Sequence, residues 1–225
     1  MIQNRPATAV ITGISSGIGL AMTQLLLDKG YQVVGTTKTG FLPALQHPNL
    51  TVVALDLNSE QQRTAAALAI SDELDYIDLL INNAGIAPDV FSETPDLDSF
   101  SNTVDTNLTA TVFFTELLIK NMREHSKILF ISSEMGLVKN AGKTGTAYRI
   151  SKAGINMYAE ILANRLFERG ISVGAVHPGW VRTKLGGESA PISTEQSAEE
   201  ILAQLPHIEG TGRFYNASTS QTELY

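Results

Sequence analysis

Tyr148 and Lys152 stand four residues apart in the stretch Ala147-Tyr148-Arg149-Ile150-Ser151-Lys152-Ala153-Gly154. In a helix, side chains four apart lie one turn above each other on one face, so a phenol and an ammonium would share one space. A free tyrosine has a pKa of about 10, and a neighbouring positive charge favours its phenolate and lowers that value. A phenol so tuned can serve as a general acid or base. The spacing alone is common in proteins, so the elements that would position the pair have to decide its meaning.

Those elements alternate. Residues 7 to 12 read as a short buried strand, followed by Gly13-Ile14-Ser15-Ser16-Gly17-Ile18-Gly19 and then an apolar-periodic helix through Leu20, Leu25 and Leu26. Glycines in such a turn let the main chain approach a pyrophosphate, and the helix N-terminus supplies free N–H groups and positive dipole charge. The spacing is GxxxGxG rather than GxGxxG, and an ordinary glycine-rich turn would look the same. Gly30 ends the helix, and Tyr31 to Thr36 is the second strand. A carboxylate at its end would grip a ribose diol and repel a 2'-phosphate, but Thr36-Thr37-Lys38 stands there, which favours an NADP-type over an NAD-type cofactor. Lys38 either meets that phosphate or is a solvated loop lysine.

Further strands are expected at 50 to 55, ending before Asp56-Leu57, at 77 to 81, ending in Asn82-Asn83-Ala84-Gly85, and at 127 to 131, ending in Ser132-Ser133. Asn58 or Ser59 caps a helix through Ala65, Leu68 and Ala69. A loop spans 86 to 98, and one long helix is expected from Ser99 to Arg123, with Asn107 inside it. After a loop at 134 to 146, the helix bearing Tyr148 and Lys152 runs to about Arg169 and is stopped by Gly170. A strand from Ile171 to Val176 ends in His177-Pro178-Gly179-Trp180-Val181-Arg182-Thr183, a helix spans Thr194 to Leu205, and a short last strand spans Gly212 to Asn216. No repeat or linker divides the chain. The expected fold is α/β, a single Rossmann-type doubly wound domain with one parallel sheet, whose ligand crevice lies where Gly13, Asp56, Asn83, Ser133 and Thr183 end their strands.

Composition narrows the partners. The 225 residues are 43% hydrophobic and 17% charged, enough for one sizeable core. A net charge of -7 without a Lys/Arg cluster excludes a nucleic-acid surface and points to a small molecule. Without cysteine there is no disulfide, thiolate nucleophile or cysteine-ligated zinc, and His47, His125, His177 and His207 form no paired motif, so no metal is expected. Met1 to Pro6 contain no apolar leader core, and no apolar run approaches the roughly 20 residues of a membrane span, so a soluble cytoplasmic protein without a membrane partner is expected. Asn216-Ala217-Ser218 fits a glycosylation sequon by chance.

The ordered set Thr12-Gly13-x3-Gly17-x-Gly19, Asn82-Asn83-Ala84-Gly85, Asn107, Ser133, Tyr148-x3-Lys152 and Pro178-Gly179-x3-Thr183 resembles the short-chain dehydrogenase/reductase family over nearly the whole chain. The stretches around Tyr148 and Trp180 resemble its C-factor and sniffer-like carbonyl reductase branch. The resemblance implies an oxidoreductase that transfers hydride between nicotinamide and a carbonyl or alcohol. Tyr148 would protonate the carbonyl oxygen, Ser133 would hold it, Lys152 would bind the nicotinamide ribose and depress the tyrosine pKa, and Asn107 would hold a water connecting Lys152 to solvent. It further implies that Gly13, Ser15, Ser16, Gly17, Ile18 and Gly19 receive the pyrophosphate, Lys38 the 2'-phosphate, Asp56 with Leu57 the adenine, and Asn83, Ala84 and Gly85 the adenosine side. Pro178, Gly179, Val181 and Thr183 would lie at the nicotinamide end. The interval from Ser133 to Tyr148 is longer than the family pattern and the region after Thr183 is short, so the substrate pocket is where the chain departs from its relatives. Two other readings stay open: an NAD-dependent alcohol dehydrogenase, and a dinucleotide-sensing signalling protein that turns over nothing. Helix faces with Val112, Leu117, Tyr158, Ile161 and Leu162 are either core or the seam of a family-like homodimer or homotetramer.

Overall fold

In the computed structural model, which describes residues 5–210, 212–219 and 221–223, the apolar runs become strands, buried on both faces at 8–11 and half-buried in the edge run at 50–54. Of the N-terminal stretch, Met1 to Asn4 lie outside the described residues. In chain order the elements are β1 (Thr8–Ile11), α1 (Gly17–Asp28), β2 (Gln32–Thr37), β3 (Leu50–Ala54), α2 (Glu60–Glu73) and β4 (Ile77–Asn82). Next come α3 (Leu97–Val104), a π-helical segment (Asp105–Ala110), α4 (Thr111–Leu118), β5 (Met122–Ile131) and α5 (Thr146–Leu166). The chain continues through β6 (Ser172–His177), α6 (Thr194–Gln204), β7 (Phe214–Asn216) and β8 (Gln221–Glu223).

One sheet of order β3-β2-β1-β4-β5-β6-β7-β8 carries the fold. β1 to β7 pair in parallel. Alternate residues of each strand feed two cores. Val10, Leu80, Ile128 and Phe130 pack with Ile70, Phe114, Ile155 and Leu162 beneath α2, α4 and α5. Ile11, Leu79, Ile81 and Val176 pack with Met22, Leu26 and Ile201 beneath α1 and α6. Strand order reverses between β1 and β4, and the crevice of such a sheet opens beyond the carboxyl ends of the strands at this point. Among the described residues no helix is long and apolar enough to cross a membrane.

Three expected boundaries move. The long helix from Ser99 to Arg123 begins at Leu97, capped by Asp96, opens into the π-helical segment and reverts to α-helix only to Leu118. The Thr111 hydroxyl donates to the Thr106 carbonyl at 3.1 Å, five residues back, which stabilises the wider turn. Arg123 instead belongs to β5, which starts at Met122 because Met122 pairs with Ile77. At the other end the last parallel strand is shorter than expected, and β8 adds an antiparallel edge to it. The two helix faces left undecided by the sequence split. Leu162 is core, Val112 and Tyr158 are half-buried, and Leu117 and Ile161 face solvent with Phe113 and Met157.

Candidate active site

The turn after β1 is built around close approaches. Gly13 has a φ of +72°, which an L side chain rarely adopts, and a Cβ there would come within 3.0 Å of Ala84. A Cβ on Gly19 would stand 2.4 Å from both the Asn83 amide nitrogen and the Gly13 carbonyl, so no larger residue fits there. Thr12 and Asn83 lock this turn to the end of β4. The Thr12 hydroxyl accepts the main-chain N–H groups of Asn83 and Ala84 at 3.0 Å each, and the Asn83 Nδ2 donates to the carbonyls of Thr12 and Gly13 at 2.9 and 3.0 Å.

α1 then begins with Ser16 at its N-cap, whose side chain makes no capping bond, and with no acidic residue in the first turn. Its first N–H groups and dipole are left to a ligand, the arrangement an anion such as a pyrophosphate requires. A cleft of about 620 Å³ opens there, lined by Ser15, Ser16, Lys38, Asp56, Leu57 and Gly85 among others. Lys38 lies at its rim and pairs with Asp56 at 3.5 Å. A cradle that a Cβ would fill, an uncapped helix start and a cation at the rim together fit a dinucleotide bearing phosphate.

A second cavity of about 270 Å³ continues the cleft, and Ile18, Asn83, Gly85, Thr183 and Leu185 line both. Its walls are mostly apolar, with Met135, Pro178, Trp180, Val181 and Leu185 among the lining residues. Ser133, Tyr148 and Lys152 all face it. Ser133 follows β5, while Tyr148 and Lys152 stand one turn apart on α5 as the spacing predicts.

Burial governs this trio. Desolvation pushes the Tyr148 phenol up to about 12, and a hydrogen bond with Ser133 draws it partly back. Burial likewise holds the Lys152 ammonium down to about 8. Burial therefore overrides the lowering of the tyrosine expected from the lysine charge. The Lys152 Nζ lies 5.6 Å from the phenol ring centre and donates to the Ile131 carbonyl at 2.8 Å. Charge is costly for both groups there, and desolvation outweighs their attraction.

Asn107 sits behind the cavity wall in the π-helical segment. Its Oδ1 accepts the Ile86 N–H at 2.8 Å, and its Nδ2 donates to the Ile86 carbonyl at 2.7 Å and the Ser151 hydroxyl at 3.1 Å. The side chain is thus engaged with protein on both its oxygen and its nitrogen.

The cleft also contains residues that the sequence reading passed over. Asn102 and Thr106 line it, and Asn58 donates to both at 3.1 and 2.9 Å. Their four-residue spacing just ahead of Asn107 was the available signal. Glu134 and His177 line the small cavity and approach each other to 3.9 Å. Trp180 is held by its indole N–H on the Gly186 carbonyl at 2.8 Å.

A family model, short chain dehydrogenase, matches residues 7–192. The chain belongs to the short-chain dehydrogenase family. Within this oxidoreductase family it is 30% identical over 204 residues to the 3-oxoacyl-acyl-carrier-protein reductase FabG of Vibrio cholerae, an alignment spanning 88% of this chain and 81% of that protein. It is similar to the solved structure of an NADPH-bound carbonyl reductase from chicken fatty liver, with a TM-score of 0.88, 27% identity, and 98% and 95% of the two chains covered. The carbonyl reductase Sniffer of D. melanogaster shares the fold at a TM-score of 0.88 and 22% identity, over 98% of this chain and 100% of that one.

Proposed function

We propose that this short-chain dehydrogenase is an NADPH-dependent carbonyl reductase that interconverts a carbonyl and an alcohol on a small molecule with an apolar body. The observation that carries the reading is the continuity of the two cavities. A ligand anchored at the open N-terminus of α1 extends through Ile18, Asn83 and Thr183 into the space faced by Ser133, Tyr148 and Lys152. When bound, the nicotinamide supplies or accepts the hydride.

The chain's own residues handle the oxygen and the proton. The Ser133 Oγ accepts the Met135 N–H at 3.2 Å, which orients its hydroxyl to donate to the substrate oxygen. Tyr148 gives its proton to that oxygen as negative charge develops, or takes it in the reverse direction. A phenol held neutral by burial is stored in the donating form. Lys152, one turn away, stabilises the phenolate left behind by its positive charge, so the two buried groups share one proton-transfer task. The apolar walls exclude water, which strengthens each of these interactions.

Lys38 supports the NADP preference, since no acid at the end of β2 competes with a 2'-phosphate. The alternative, an NAD-dependent alcohol dehydrogenase, is separated by comparing the two oxidised cofactors. α4 and α5 are clasped by Glu116, which accepts from Tyr158 at 2.6 Å and Arg165 at 2.7 Å. The exposed Phe113, Leu117, Met157 and Ile161 on these helices support pairing of two copies in solution.

The experiment is a screen of aldehydes, quinones and ketones read by NADPH consumption, with NADPH binding measured in parallel. Turnover of at least one neutral carbonyl is expected. Binding without any turnover favours the dinucleotide-sensing alternative, and no NADPH binding defeats the whole reading.

A further inference from the structure

We propose that Asp89 is a positioning residue for Tyr148: its buried carboxylate caps the start of the catalytic helix from another part of the chain and so sets where the phenol stands. The proposal rests on the reading of Tyr148 as the proton donor.

A helix begins with N–H groups that have no partner within it. α2, α3 and α6 satisfy theirs with their own N-cap side chains, Ser59, Asp96 and Ser193. α5 starts after Gly145, which has no side chain to offer. The missing acceptor comes from 58 residues upstream: the Asp89 Oδ2 receives the Ala147 N–H at 2.8 Å. Asp89 is 4% exposed, and its Oδ1 is buried with no hydrogen-bond partner. A carboxylate taken out of water at that cost has to be compensated, and the positive end of α5 is the compensation on offer.

The neighbouring residues anchor the same turn. The Gly145 N–H donates to the Ser92 carbonyl at 3.0 Å. Gly145 has a φ of +72°, and a Cβ there would come within 3.2 Å of the Val90 carbonyl, so the helix start lies directly on the loop. Ile86, earlier in that loop, grips the Asn107 side chain. Asn107 donates to the Ser151 hydroxyl, and Ser151 donates to the Tyr148 carbonyl at 2.7 Å. The main chain of Tyr148 is thus held from both sides by residues 86–92, the segment that follows the cleft-lining Asn83-Ala84-Gly85. A displacement of the phenol by about 1 Å is enough to cost on the order of a hundredfold in rate.

The test compares Asp89→Ala, Asp89→Asn and Asp89→Glu in the full chain by NADPH titration, steady-state kinetics on a neutral aldehyde and thermal melting. Asp89→Ala should lower kcat by at least about tenfold while the NADPH Kd stays within about twofold. Asp89→Asn, which keeps an acceptor oxygen in place, should recover most of that loss. Asp89→Glu, which keeps the charge but moves the oxygen by a methylene, should fold and still lose kcat. A folded Asp89→Ala with wild-type kcat overturns the proposal, as does a loss of NADPH affinity in proportion to kcat. If Asp89→Ala does not fold, a wild-type kcat in Asp89→Glu overturns it equally. If the wild-type protein reduces no carbonyl, the catalytic reading fails by itself. Amide exchange at Ala147 and Tyr148 then decides the cap, with faster exchange in Asp89→Ala expected and unchanged exchange there overturning it.

Discussion

α1 and α5 both present their first turns to the same cavity, through Ile18 and Tyr148, yet the two helix starts are treated in opposite ways. α1 has a serine N-cap that makes no capping bond and no acid nearby. α5 has its cap delivered by the buried Asp89. An open start keeps donors and dipole charge available to an anion, at the expense of helix stability. A closed start spends its donors on the protein and fixes a side chain. The cleft therefore divides into an end that awaits a ligand and an end that is already assembled.

The largest expected effect breaks the assembled end. Tyr148→Phe should lower kcat by about 10³-fold, within the range of a lost general acid, and leave NADPH affinity within about twofold. Retained turnover would remove Tyr148 from the chemistry. Next in size, Ser16→Asp would close the open end. NADPH affinity should fall by about a hundredfold, while the cofactor-free protein melts about 2 °C higher, because a carboxylate there meets the positive end of the α1 dipole. Unchanged NADPH affinity would show that α1 does not face the phosphates.

Smaller effects sharpen the contrast. Lys38→Ala should cut the preference for NADPH over NADH by about tenfold, with no change in melting, since its pair with Asp56 is exposed. An unaltered preference would return Lys38 to a solvated loop role. Smallest is a pH effect on the cofactor-free protein. Burial holds the folded Lys152 ammonium down to about 8, against its ordinary 10.5, so between these values the unfolded chain binds more protons and stability rises with pH. That contribution is present above 10.5 and is lost as pH falls through 8. The raised Tyr148 acts in the opposite sense, losing its contribution only between 10 and about 12. Melting temperatures from pH 8 to 10 should therefore climb, and Lys152→Met should flatten the climb.

The open end was legible in the sequence because its signals are local. Glycines, a strand before them and a helix after them all fall within Thr8 to Asp28. Tyr148 and Lys152 were legible because helical spacing alone places them together. The cap on α5 was not, since a pattern read along the chain does not connect Asp89 to Ala147. Nor was the direction of the tyrosine shift, because charge can be read from residue types whereas burial requires the packed structure. The start of β5 was missed because Arg123-Glu124-His125 are polar, and only pairing of Met122 with Ile77 extends the strand that far. β8, three residues long, carries too little pattern to be distinguished from a loop.

The π-helical segment from Asp105 to Ala110 shows that chain length can carry information that residue identity does not. A residue advances a regular α-helix by about 100°. Removing one residue other than Asn107 there would keep Asn107, Ser133, Tyr148 and Lys152 yet rotate Leu97–Val104 by about that angle against Thr111–Leu118. With Phe114 and Leu118 fixed in the core, Asn102 would swing out of the cleft. The extra residue thus acts as a phase shift, allowing one continuous helical rod to serve the core with one half and the ligand with the other.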